Sequence, residues 1–107
     1  MMKKGSIILL PFPFTNFKGS KNRPAVVLYV SDIDVTVCFI TSELKWKESI
    51  DIVLLPTLGN GLKTNSLIRV NKIATIDLDL ILGELGSITN SQITELNIGL
   101  KQLLQLE

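Results

Sequence analysis

A chain of 107 residues, 46% apolar and 20% charged, has the length and composition of one folded domain, 1–107, with a single core. These values exclude an intrinsically disordered chain, and apolar runs such as Ile7 to Phe12 and Ala25 to Val30 fall short of the roughly 20 residues that cross a bilayer. There is no histidine, and the one cysteine, Cys38, excludes an internal disulfide and leaves no spaced set of metal ligands.

The net charge of +1 is unevenly spread. Residues 1–31 carry Lys3, Lys4, Lys18, Lys21 and Arg23 with no acid (+5), whereas residues 32–107 carry six basic and ten acidic side chains (−4). The basic end is a candidate face for a polyanion. Simple solvation of one edge is the other reading of the same charges. With no signal peptide and no membrane-length segment, a cytoplasmic protein without membrane association is expected.

In chain order, Gly5 to Phe12 predicts a first strand, stopped by Pro11 and Pro13. The segment "PFTNFKGSKN" has the Gly, Asn and Ser content of a loop. Pro24 to Val30 and Asp34 to Thr41 predict two strands of an antiparallel hairpin joined at "SDID", with Cys38 as a small core residue. "LKWKES" reads as a loop or one helical turn, and Ile50 to Leu55 as another strand. After the turn cluster "TLGNGLKTN", Ser66 to Ile76 predicts a longer strand and Ile81 to Leu85 a short one. Thr89 and Gln92 have the spacing of a capping box. Ile93, Leu96, Leu100, Leu103 and Leu104 then predict an amphipathic helix over 90–105, with Gly99 marking close packing. The expected fold is mainly β: a small barrel or strongly curved sheet with a C-terminal helix.

Without histidine, acid–base chemistry falls to Arg, Lys, Asp, Glu, Tyr or polarised hydroxyls. Arg23 follows a loop holding Lys18 and Lys21 and precedes an apolar strand. Its planar fork of donors suits a phosphate at the rim, and a surface ion pair is the bland alternative. Thr41 and Ser42 end the next hairpin strand, which brings Thr41 near Arg23. A hydroxyl there can stabilise charge on a phosphoryl group, or Thr41 is simply a β-branched strand residue. Arg69 and Asn71 stand two apart on one strand face, either as a second phosphate ligand with a base-reading amide or as outward polar residues. Phe14, Phe17 and Trp46 are candidates for stacking on bases, with Phe14 better suited to plugging the core and Phe17 and Trp46 divided between the two readings.

Taken together, "GSIILLPFPFTNFKGSKNRPAVVL", "FITSEL", "GLKTNSLIRVNKIATID" and "GELGSITNSQITELNIGLKQLL" resemble the MazF/PemK family of toxin endoribonucleases from type II toxin–antitoxin systems, over about residues 4–105. The resemblance implies a CcdB/PemK-like SH3-type β-barrel with a C-terminal helix, forming a homodimer. It also implies sequence-specific cleavage of single-stranded mRNA by 2′-OH attack, with no metal or other cofactor, and a cognate antitoxin as partner. Carried over residue by residue, Arg23 and Thr41 are the expected catalytic pair, with Arg23 neutralising the phosphate and donating a proton. Ser42, Thr15, Asn16, Lys18, Lys21, Arg69 and Asn71 are the expected RNA contacts. Two departures stand out: Ser6 replaces an acid after the first glycine, and Asn71 replaces an acid proposed elsewhere in the family as general base. Glu43 is a candidate for the missing base. The alternatives are a non-catalytic toxin that binds a protein, as CcdB-type gyrase poisons do, and a degenerate member keeping only its dimer and antitoxin surfaces.

Overall fold

The apolar runs "SIILLP", "NRPAVVLYV" and "DVTVCFIT" form three consecutive neighbouring strands, β1 (Ser6–Pro11), β2 (Asn22–Val30) and β3 (Asp34–Thr41). They lack clean alternation because both faces are covered: Ile7, Val26, Cys38 and Ile40 enter one apolar cluster, and Ile8, Ala25, Val27, Val37 and Phe39 enter a second. The structure, a computed structural model, describes residues 2–11 and 22–107. Short β4 (Ile52–Leu54), long β5 (Ser66–Asp77) and β6 (Gly83–Ser87) complete an antiparallel sheet in the order β4-β5-β3-β2-β1-β6. β2 starts two residues before the predicted boundary, because Asn22 and Arg23 pair with Pro11 and Leu10. β4 is shorter than its apolar run predicts; Asp51 closes a turn onto the Glu48 carbonyl, and only Ile52 to Leu54 pair with β5.

The sheet curls until its ends meet. The Ser87 N–H donates to the Gly59 carbonyl at 2.9 Å, which ties β6 to the loop after β4. This seam requires glycine. A Cβ on Gly86 would overlap the Gly59 carbonyl oxygen, and one on Gly61, whose φ is +69°, would overlap the carbonyl of Leu85. Gly61→Ala and Gly86→Ala are each expected to cost about 1–3 kcal/mol, seen as a lower Tm. Gly83→Ala, with none of the described residues within 4 Å of its added Cβ, is the control and leaves Tm nearly unchanged.

The helix α1 (Asn90–Leu104) begins at a complete capping box, in which Thr89 accepts from Gln92 N and Gln92 accepts from Thr89 N. Leu96 is fully buried, and Ile93, Leu100 and Leu103 pack beside it on the first cluster, while Leu104 faces outward. Burial of one such leucine is worth about 1.5–3 kcal/mol, so this stripe seats the helix. Gly99 permits the contact: its Cβ position lies 3.2 Å from the Ile50 carbonyl oxygen and 3.5 Å from Val70. Ser6, where an acid was absent, is buried with its Oγ accepting from Lys3 N.

Candidate anion-binding cleft

The cleft arises where two strand ladders part. The β2–β3 register runs inward from Ala25↔Phe39, and beyond that pair β2 continues outward along β1 while β3 continues along β5, ending at Thr41↔Leu67. Arg23 and Thr41 each lie two residues past that pair, one on each arm of the fork. Pro24, whose nitrogen has no hydrogen to give, stands where the β2–β3 ladder has already ended. Arg23 and Thr41 line two adjoining cavities of about 580 and 350 Å³. The larger also takes in Glu43, Trp46, Arg69 and Asn71; the smaller takes in Asn22, Ser42 and Lys63.

The Thr41 hydroxyl is oriented by the turn that follows it. Its oxygen accepts from the Glu43 N–H at 3.1 Å, which leaves its own hydrogen for another acceptor. Trp46 lies in a 3-10 turn (Leu44–Trp46), 62% exposed, with Lys45 Nζ 5.4 Å from its ring centroid.

Arg69 and Asn71 reach the larger cavity from an irregularity in β5. The register jumps between Cys38↔Ile73 and Ile40↔Ile68, so residues 69–72 oppose Phe39 alone. Val70 turns into the core, and Arg69 and Asn71 point the other way, sharing a face as expected. Both donate to one oxygen, Glu48 Oε1, from Arg69 Nη2 at 3.2 Å and from Asn71 Nδ2 at 3.4 Å. Arg69 Nε lies 2.9 Å from Asp51 Oδ2, an ion pair whose N–H direction is off-axis for a hydrogen bond. The Asp51 side chain is fully buried and accepts the N–H groups of Glu48 and Val70 at 3.0 and 3.1 Å.

Cys38 lies beneath this network with its Sγ 3.5 Å from the Val70 carbonyl oxygen. Burial, and secondarily the negative charge of Asp51, pushes its thiol from 9.0 to about 12. Because the folded state holds the proton above the unfolded value, this contribution to stability is complete below about pH 8.5 and is lost as pH rises toward 12. Thermal melts of wild type should therefore fall across this window more steeply than those of Cys38→Ala. Native Cys38 should resist thiol reagents at pH 8.

Of the residues expected from sequence, the fold gathers Arg23, Thr41, Arg69 and Asn71 around one cavity and places Ser42 on its neighbour. Thr15, Asn16, Lys18, Lys21, Phe14 and Phe17 lie outside the described residues. Two acids were missed, Glu48 and Asp51. Asp51 had a signal: an acid between isoleucines at a strand entry needs a buried partner, and Arg69 sits just as incongruously in "SLIRVNKI".

A curled six-stranded antiparallel sheet with a terminal helix, carrying a cleft of arginine and hydroxyl side chains where two strands fork, defines a class of small β-barrel protein. Its family follows from comparison with known proteins. Residues 3–104 match the family model of PemK-like, MazF-like toxins of type II toxin–antitoxin systems, and the chain belongs to that family. No curated protein matches the chain. Among solved structures, Mycobacterium tuberculosis toxin MazF-mt6 is similar at TM-score 0.78 and 20% identity, with 95% of this chain and 98% of that one covered. The MazE–MazF complex from Deinococcus radiodurans gives TM-score 0.74 and 23% identity over 98% and 97% of the two chains. An endoribonuclease in complex with its cognate antitoxin, from a mycobacterial species, gives TM-score 0.75 and 16% identity over 100% and 98%. At these identities the likeness shows a shared fold, the expected PemK-like barrel with its C-terminal helix.

Proposed function

We propose that this toxin is a sequence-specific, metal-independent endoribonuclease that cuts single-stranded mRNA in the cytoplasm. In this reading it acts as a homodimer held in check by a cognate antitoxin. The observation that carries it is the fork: an arginine and an oriented hydroxyl, Arg23 and Thr41, face two shared cavities, with a second arginine across the larger one. Such a group matches a phosphodiester, whose two non-bridging oxygens need a planar cation and a neutral donor.

In the proposed reaction the ribose 2′-oxygen attacks the adjacent phosphorus and the P–O5′ bond breaks, leaving a 2′,3′-cyclic phosphate and a 5′-hydroxyl. Arg23 offsets the charge that builds on the phosphoryl oxygens. A guanidinium keeps its protons at any working pH, so in place of the proton donation expected from sequence its part is electrostatic, and the leaving oxygen takes its proton from water. The free Thr41 hydrogen donates to a non-bridging oxygen. Ser42, Arg69 and Asn71 hold neighbouring parts of the strand, and Trp46 offers an indole face to a base. The complexes of related toxins with their antitoxins support an antitoxin partner here.

The test is incubation of purified protein with mixed-sequence RNA in EDTA, with product ends identified. Cyclic phosphate ends at a recurring short sequence are expected. An RNA left intact, or one cut as readily with 2′-deoxyribose at the cleavage site, would overturn the assignment.

A further inference from the structure

The reaction needs a proton acceptor for the 2′-hydroxyl, and the carboxylates near the cleft can be compared in turn. Residues 12–21 contain no acid, so the acceptor, if it is a carboxylate of this chain, lies among the described residues. Asp51 is fully buried and committed to Arg69 and two backbone N–H groups. Glu43 lines the larger cavity but is steadied only by a 4.0 Å pairing with Lys45, both side chains being more than 60% exposed. Such a pair restrains a carboxylate weakly.

Glu48 differs from both. Its backbone is held at the turn by Asp51, which accepts its N–H and donates its own to the Glu48 carbonyl. Its side chain is held by one oxygen only: Oε1 receives both Arg69 Nη2 and Asn71 Nδ2, two groups of the cavity that Arg23 and Thr41 line. Oε2 takes part in no hydrogen bond among the described residues, and the side chain is 55% exposed. Glu48 stands beside the larger cavity, held there by Arg69 and Asn71 and not itself among its lining residues, so a carboxylate anchored through one oxygen with the other uncommitted can accept a proton from a strand bound in that cavity. Position 71, an amide in the sequence, thus acquires a carboxylate in space.

We propose that Glu48 is the general base of the RNA-cleaving reaction, its Oε2 taking the proton of the ribose 2′-hydroxyl while Arg69 and Asn71 hold Oε1. This inference rests on the endoribonuclease reading. The 2′-oxygen gives its proton to Oε2 and bonds to phosphorus, and the P–O5′ electron pair passes to the 5′-oxygen, which takes a proton from water. Glu48 then returns its proton to the hydroxide so formed, and nothing is oxidised or reduced. Among the described residues, the charged groups facing Glu48 are Arg69 and Asp51, with Lys47 reaching its carbonyl oxygen.

The experiment is single-turnover cleavage of a defined RNA by wild type, Glu48→Gln and Glu43→Gln across pH 4–8. Gln can still accept from Arg69 and Asn71, and far-UV circular dichroism checks the fold. Glu48→Gln should lower the cleavage rate constant by about 10²- to 10⁴-fold with little change in RNA affinity, and should remove the acidic limb of the pH–rate profile that Glu43→Gln retains. A folded Glu48→Gln with wild-type rate and limb, or loss of the limb in Glu43→Gln instead, overturns the assignment of the base alone. Wild type that cuts no RNA overturns the underlying reading and this inference with it.

Discussion

On the proposed endoribonuclease reading, Arg23→Ala will leave a folded protein that no longer cuts RNA at a useful rate. The side chain stands on one arm of the fork between β2 and β3, faces both cavities, and enters neither apolar cluster. Its removal therefore takes away charge without opening the core. In a cleft walled by Phe39 and Ile40, a fixed cation acts on developing phosphoryl charge through a medium less polarisable than water. Loss of one preorganised donor of this kind lowers rates by about 10²- to 10³-fold, and loss of a full positive charge belongs at the upper end. Arg23→Lys should recover part of the rate but not all, because an ammonium keeps the charge and loses the two-point fork. Single-turnover cleavage measures the effect and circular dichroism checks the fold. Activity of Arg23→Ala within tenfold of wild type would remove Arg23 from the mechanism.

Asp51→Ala is expected to be the most destabilising polar substitution in the network around the cleft. It strips a partner from the Val70 N–H, the Glu48 N–H and the Arg69 guanidinium at once. Breaking a buried pair costs about 3–5 kcal/mol. Arg69 keeps Glu48 as a partner and its side chain is 16% exposed, so the loss here should be nearer about 2–3 kcal/mol. For a chain of this size, that lowers Tm by roughly 10 °C or more. The double variant Asp51→Ala/Arg69→Ala should lose less than the sum of its parts, since it removes the unpaired cation too. Strict additivity in denaturant melts would mean that the 2.9 Å pair carries no coupling. Because Asp51 also sets the turn that carries Glu48, the single variant should cut RNA slowly even at temperatures where it remains folded.

The strands and the helix were readable because each has a local cause. "IILL", "AVV" and "VCFI" are apolar on both faces, and Thr89 with Gln92 and the Leu96 stripe define a capped helix without reference to anything distant. The nearness of Arg23 and Thr41 was readable too, since they end facing strands of one hairpin. Glu48 and Asp51 were not, because they meet Arg69 across about twenty residues of sequence, through the β4–β5 pairing and the register jump at 69–72. No period in the sequence encodes such a jump.

By itself, then, the sequence determined which segments pair as strands, where the helix begins, and that an arginine and a threonine end neighbouring strands. Local propensity and hydrophobic pattern act over a few residues and suffice for that. Only the tertiary structure decided that the ladders part at Ala25↔Phe39 to open a cleft, and that one buried aspartate holds both Arg69 and the backbone of Glu48. It also decided that a glutamate from the turn before β4 comes to rest on Asn71. These depend on the curl that joins the two ends of the sheet, and curl is a property of all six strands together.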